Sequence, residues 1–107
     1  MKLSELYLLL RRVGIPVTYS HFEEGQAPSL PYICYLEVST ENFKADGKVY
    51  QKITDVDIEL YTRFKELDIE DAIEQLLDAN SIPWDSDEVD INDEKVFKKT
   101  YEVRLIQ

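Results

Sequence analysis

Cysteine, histidine and glycine are nearly missing from this sequence, and each scarcity removes a class of function. The one cysteine, Cys34, has no partner for an intrachain disulfide. It sits in the apolar run Pro31-Tyr32-Ile33-Cys34-Tyr35-Leu36, the setting of a small hydrophobe in a reducing compartment. The one histidine, His21, lies between Ser20 and Phe22, and nothing local joins it to Cys34 as a base to a nucleophile. The three glycines, Gly14, Gly25 and Gly47, stand too far apart to build a phosphate-binding loop. Basic residues are also scarce, 12 against 22 acidic, which leaves a formal charge of -10. Such a chain is repelled by a phosphate backbone, so direct nucleic-acid binding is not expected. No long hydrophobic run is present. Met1-Lys2-Leu3-Ser4-Glu5 is no signal peptide, and Glu5, Arg11 and Arg12 bracket an apolar segment too short for a bilayer. The expectation is a protein without a membrane partner, cytoplasmic when made.

Carboxylates are abundant, and their densest run is Asp85, Asp87, Glu88, Asp90, Asp93 and Glu94. Clustered carboxylates suit calcium, but the spacing fails. With Asp85 opening an EF-hand loop, Asp90 would stand where glycine is needed and Val96 where a bidentate glutamate belongs. A solvated acidic edge fits better, and no metal or cofactor is expected. Among 22 acidic residues some pair will be close by chance, so no carboxylate pair is singled out for glycosidase-type catalysis, and no enzyme is expected.

Apolar residues make up 44% of the chain, enough for a packed core. A length of 107 residues fits one domain spanning 1–107, since two cores would each be too small. Leu3, Leu6, Tyr7 and Leu10 form one face of a helix that Gly14 and Pro16 stop, and Leu8, Leu9 and Val13 widen its apolar surface. A weak extended piece near Val17 follows. Tyr32 to Val38 alternates as a strand, and Asp46-Gly47 is the signature of a tight hairpin turn. Val56, Ile58 and Leu60 alternate with Asp57, Glu59 and Tyr61, giving a strand with one apolar and one charged face. Ile69, Ala72, Ile73, Leu76 and Leu77 mark a second helix, with Asp68 as N-cap, Asn80 in the left-handed position after it, Ile82 folding back and Pro83 forbidding continuation. Trp84 to Ile91 and Lys95 to Ile106 read as two further strands. The order is therefore helix, weak extended piece, three strands, helix, two strands. The expected class is α+β, an antiparallel β-sheet with two helices packed on one face.

Seven tyrosines accompany Phe22, Phe43, Phe64, Phe97 and Trp84, and most are expected to serve packing. Phe43 and Tyr50 are different because they flank the Asp46-Gly47 turn. Large apolar groups at a hairpin tip make Phe43, Asp46, Gly47 and Tyr50 a candidate interface.

Several stretches in order, Gly14-Ile15-Pro16-Val17, Leu30-Pro31-Tyr32-Ile33-Cys34-Tyr35, Asn42 to Gly47 with Val49-Tyr50, Ile58-Glu59-Leu60-Tyr61-Thr62, and Ile69 to Leu77 with Ile82-Pro83, resemble a family of small tail-completion proteins of long-tailed phages and prophages. These are also described as tail-terminator, minor tail or head-tail joining proteins. The resemblance spans most of the chain and is weakest over Ser86 to Glu94. It implies a virion-structural subunit in a homo-oligomeric ring, for instance a hexamer, with tail-tube and head-connector proteins as partners. If subunits surround a channel for DNA, acidic walls would let it slide, and the candidate lining residues are Asp55, Asp57, Glu59, Asp85, Asp87, Glu88 and Asp90. The alternative function is a small acidic DNA mimic that inhibits a nucleic-acid enzyme. Lys95, Lys98, Lys99 and Arg104 count against it, because they interrupt the acidic C-terminal region.

Overall fold

The structure, a computed structural model, describes residues 1–45, 48–91 and 95–106, with backbone alone for 42–45 and 48–51. The first helix, α1, spans Leu3–Leu10. Its start is fixed by Glu5, whose carboxylate accepts the Lys2 backbone N–H at 2.9 Å and so satisfies one of the donors a helix leaves free. A 3₁₀ turn over Arg11–Val13 tightens its end, and Gly14, at φ 91°, takes the left-handed conformation that stops it.

Five strands follow: β1 at Val17–Tyr19, β2 at Tyr32–Ala45, β3 at Lys48–Thr62, then, after the second helix α2 at Leu67–Ala79, β4 at Trp84–Ile91 and β5 at Val96–Ile106. They form one sheet in the order β1-β2-β3-β5-β4. The class is α+β, but the sheet is mixed. β1 pairs with β2 in parallel, Val17 against Ile33, because the twelve-residue connection 20–31 is long enough to return the chain to the same end. The other pairings are antiparallel.

The segment that reads as three strands in sequence is two long ones. β2 and β3 pair from Tyr32 opposite Tyr61 through to Ala45 opposite Lys48, with the expected turn residues Asp46 and Gly47 outside the described residues. Two register shifts, between Glu37 and Ser39 and between Phe43 and Lys44, break the alternation that would have revealed this continuity. The first makes Val38 a bulge.

α2 also starts and ends differently in detail. Its N-cap is Glu66, and Asp68 lies within the first turn, where a carboxylate favours the helix dipole without capping. At the other end Ser81, not Asn80, is left-handed, at φ 56°. The Ser81 N–H donates to the Asp78 carbonyl at 3.1 Å and the Ile82 N–H to that of Leu77 at 2.9 Å, a Schellman closure. Ile82 folds back into the core as expected.

One apolar cluster joins Leu6, Leu9 and Leu10 of α1, Ile73 and Leu77 of α2, and Ile33, Tyr35, Val56, Ile58, Leu60, Tyr101, Val103 and Leu105 of the sheet. The strand members are alternate residues opposite one another in register, Tyr35 with Ile58 and Ile58 with Tyr101, so they share one face. The intervening residues face the other way. Near the β1 end that second face is aromatic, with Phe22 on Tyr32 and Tyr32 on Tyr61 at ring separations of 5.1 and 5.2 Å. No helix among the described residues is long and apolar enough to cross a membrane.

Candidate interaction surface

The second face of the sheet turns acidic away from that aromatic end. β3 contributes Asp55, Asp57 and Glu59, β5 places Glu102 opposite Asp57, and β4 places Asp85 opposite Glu102 and Asp87 opposite Thr100. Five of the seven acids expected together in sequence therefore share one face. Glu88 and Asp90 do not, because alternation turns them to the other side of β4, opposite Lys99 and Phe97. The run Asp85 to Asp90 is split between two surfaces.

Two cations cross the acidic face and bind part of it. The Arg104 guanidinium donates to Asp55 at 2.8 Å and reaches Glu41 at 3.4 Å, while the Ser39 hydroxyl donates to Asp55 at 2.9 Å. These hydrogen bonds hold the Asp55 carboxyl below its usual range. Lys98 sits 3.4 Å from Glu59, and Glu59 accepts a 3.1 Å hydrogen bond from the Tyr61 hydroxyl. Asp57 is different. Its partial burial raises its carboxyl above the usual value, and the charges of Glu59 and Asp87 push the same way against Lys98. No ion pair forms at Asp57, Asp85, Asp87 or Glu102 among the described residues. An open depression of about 650 Å³ lies here, with Asp57, Asp85, Glu102, Arg104 and the apolar Val38 in its lining.

A second ionic group was not legible in sequence. Glu70, buried in the first turn of α2, accepts hydrogen bonds from Lys65 at 2.9 Å and Lys99 at 2.7 Å. Lys65 also binds Glu88 at 2.8 Å, and the buried Tyr101 hydroxyl donates to Glu74 at 2.8 Å. This group ties α2 to β4 and β5. Burial alone would raise the Glu70 carboxyl, but the bonds from Lys99 and Lys65 outweigh it and hold it below the ordinary value. The sequence shows only the basic pair Lys98-Lys99, which gives no hint of a partner 29 residues away.

Cys34 is buried, and that burial, with the charge of Glu59, pushes its thiol up to about 11. At neutral pH it is protonated and a poor nucleophile. His21 is exposed, with Ser20 and Glu23 as its neighbours. No group of carboxylates, histidines or cysteines with metal-binding geometry occurs among the described residues. Of the expected hairpin interface, Asp46 and Gly47 and the side chains of Phe43 and Tyr50 lie outside the described residues.

The backbone on either side of that turn is informative. β5 pairs with β3 as far as Ile53, opposite Ile106, and β1 pairs with β2 only as far as Tyr35. Beyond these points β2 and β3 have each other alone among the described residues. The longest dimension of the molecule is 51 Å. Fifteen extended residues of β3 span about 50 Å at about 3.3 Å each.

No family model matches this chain, and no curated protein matches it either.

Proposed function

We propose that this protein is a structural subunit of a phage virion, completing the tail and joining it to the head connector as one member of a homo-oligomeric ring. The observation that carries the reading is the β2–β3 ribbon running past the rest of the sheet. A two-stranded ribbon is marginal by itself in water, so an arm of this kind fits a chain whose neighbours complete it. The side-chain chemistry agrees with a protein that works by contact. Cys34 is buried and protonated, and His21 is exposed, its ring 3.1 Å from the adjacent Ser20 hydroxyl and 3.9 Å from the Glu23 carboxylate. The tail tube and the head connector are the partners, and the -10 charge speaks against direct binding to DNA. Arg104 and Lys98 cross the acidic face, so it lacks the unbroken stripe of negative charge that a DNA mimic would need.

Imaging of particles tests this reading. Particles produced without this protein should accumulate as heads and tails that fail to join, or as tails of uncontrolled length, in negative-stain images; normal particles would refute the reading. Replacing Phe43 and Tyr50 together by Ser should leave the melting temperature of the isolated chain almost unchanged while weakening assembly. Unfolding of that double variant would place both rings in the core.

A further inference from the structure

The charge of the chain is unevenly distributed. Its first 22 residues hold three basic side chains, Lys2, Arg11 and Arg12, against one acidic, Glu5, although the whole carries -10. Glu5 is engaged at the start of α1, where it accepts the Lys2 N–H. On the side of α1 away from the buried Leu6, Leu9 and Leu10 lie Ser4, Leu8, Arg11 and Arg12, spaced i, i+4, i+7 and i+8 through the 3₁₀ turn. All four are exposed, and Leu8 keeps 60% of its surface in water. This is a small basic surface around one apolar side chain, presented by a rigid element.

The acidic sheet face has the complementary character. Among the described residues, Asp57, Asp85, Asp87 and Glu102 have no cation in ion-pair reach. The depression beside them has apolar material in its lining in Val38, which is 58% exposed. The sizes agree as well. The face from β2 to β4 crosses three inter-strand gaps, about 14 Å at about 4.8 Å each, and the eight residues of α1 are about 12 Å long.

We propose that the acidic sheet face is covered by the α1 surface of a second copy of this chain, Leu8 entering the depression beside Val38 while Arg11 and Arg12 meet Asp57, Asp85, Asp87 and Glu102. The inference rests on the ring reading and specifies its subunit boundary. Donor and acceptor are different surfaces, and the acids belong to the sheet face opposite the one whose residues join α1 in the core. The contact is therefore head-to-tail, the kind that closes into a ring or continues as a filament. It leaves the acids between subunits and not on a channel wall.

Sedimentation velocity on the purified full chain, over a range of protein concentration and salt, tests this. The wild-type chain should self-associate at low salt and dissociate as salt rises, since screening shortens from about 10 Å at 0.1 M to about 3 Å at 1 M. Arg11→Glu with Arg12→Glu should weaken association about a hundredfold or more, because it sets like charges against each other. Asp57→Lys with Asp85→Lys should weaken it similarly, and all four substitutions together should restore it. The restoration separates a direct contact from misfolding of either pair alone. Assembly that strengthens with salt and ignores the swap would put the acids on the channel wall and overturn the proposal. Loss of assembly on Lys44→Glu with Lys48→Glu, but not on the arginine reversals, would assign the acidic face to the neighbour's β2–β3 arm and overturn it equally. A wild-type chain that stays monomeric throughout refutes this contact, while the ring reading is judged separately by the particles that lack the protein.

Discussion

Glu70 and Asp57 are both carboxylates set against the sheet, and their surroundings are opposite. Glu70 lies between Lys65 and Lys99, which arrive from the β3–α2 connection and from β5. Asp57 lies in mid-strand, where burial, Glu59 and Asp87 raise its carboxyl and only Lys98 opposes them. A buried charge that has gathered its counterions from distant segments serves the fold, because its neighbours are satisfied only in the native arrangement. Like charges left together on an open face oppose folding.

Substitutions can break or sharpen this contrast. Glu70→Gln should have the largest effect, a loss of about 2–3 kcal/mol in denaturant unfolding, because it leaves Lys99 half-buried with only the longer 3.7 Å contact to Glu74. Lys65, more exposed, contributes little of that loss. The pH dependence carries a definite sign. Since folding lowers the Glu70 carboxyl, its contribution is complete above the ordinary value of 4.5 and is lost as pH falls below it. A wild-type chain whose stability, relative to the Gln variant, does not narrow in acid would show that the Glu70 group does not carry this energy. Tyr101→Phe comes next at about 1 kcal/mol, the worth of its bond to Glu74.

On the other face the sign reverses. Asp57→Asn should stabilise the chain by about 0.5 kcal/mol at neutral pH. Folding raises this carboxyl, so the penalty is absent below its ordinary value of 3.8 and appears as pH rises through the folded value. An equal melting temperature for the two proteins at neutral pH would mean that solvent and Lys98 already neutralise the repulsion. The smallest expected effect is none at all: thermal melts with and without a strong chelator should superimpose, and a drop of several degrees would return the acidic residues to consideration as a metal site.

Local periodicity carried most of the fold. The apolar stripe of α2, the fold-back of Ile82 and the two faces of β3 were all legible, because each depends on residues a few positions apart. Neighbouring options of similar energy were harder to separate: Asp68 and Glu66 both lie near the start of α2, and Asn80 and Ser81 can both end it. The parallel placement of β1 and the meeting of Lys99 with Glu70 depend on contacts between distant segments, and no single-sequence pattern encodes them. The same holds for the acidic face. The acids of β3 read as one side of a strand, whereas the separation of Asp85 and Asp87 from Glu88 and Asp90 follows from strand pairing.

The bulge at Val38 acts as a phase slip in the strand. Ile33, Tyr35 and Glu37 stand opposite Leu60, Ile58 and Val56, and an unbroken count would put Ser39 and Glu41 on that same side. One extra residue sends them across the sheet instead, opposite Asp55 and Ile53, where the Ser39 hydroxyl meets Asp55 and Arg104 spans Asp55 and Glu41. The grip of Arg104 on the foot of the arm is thus written in the parity of the chain as well as in the identity of its residues. Deleting Val38 would therefore remove the bulge yet leave Ser39 and Glu41 on the side they now occupy, whereas pairing Val38 into the ladder would exchange the two faces of the arm beyond it.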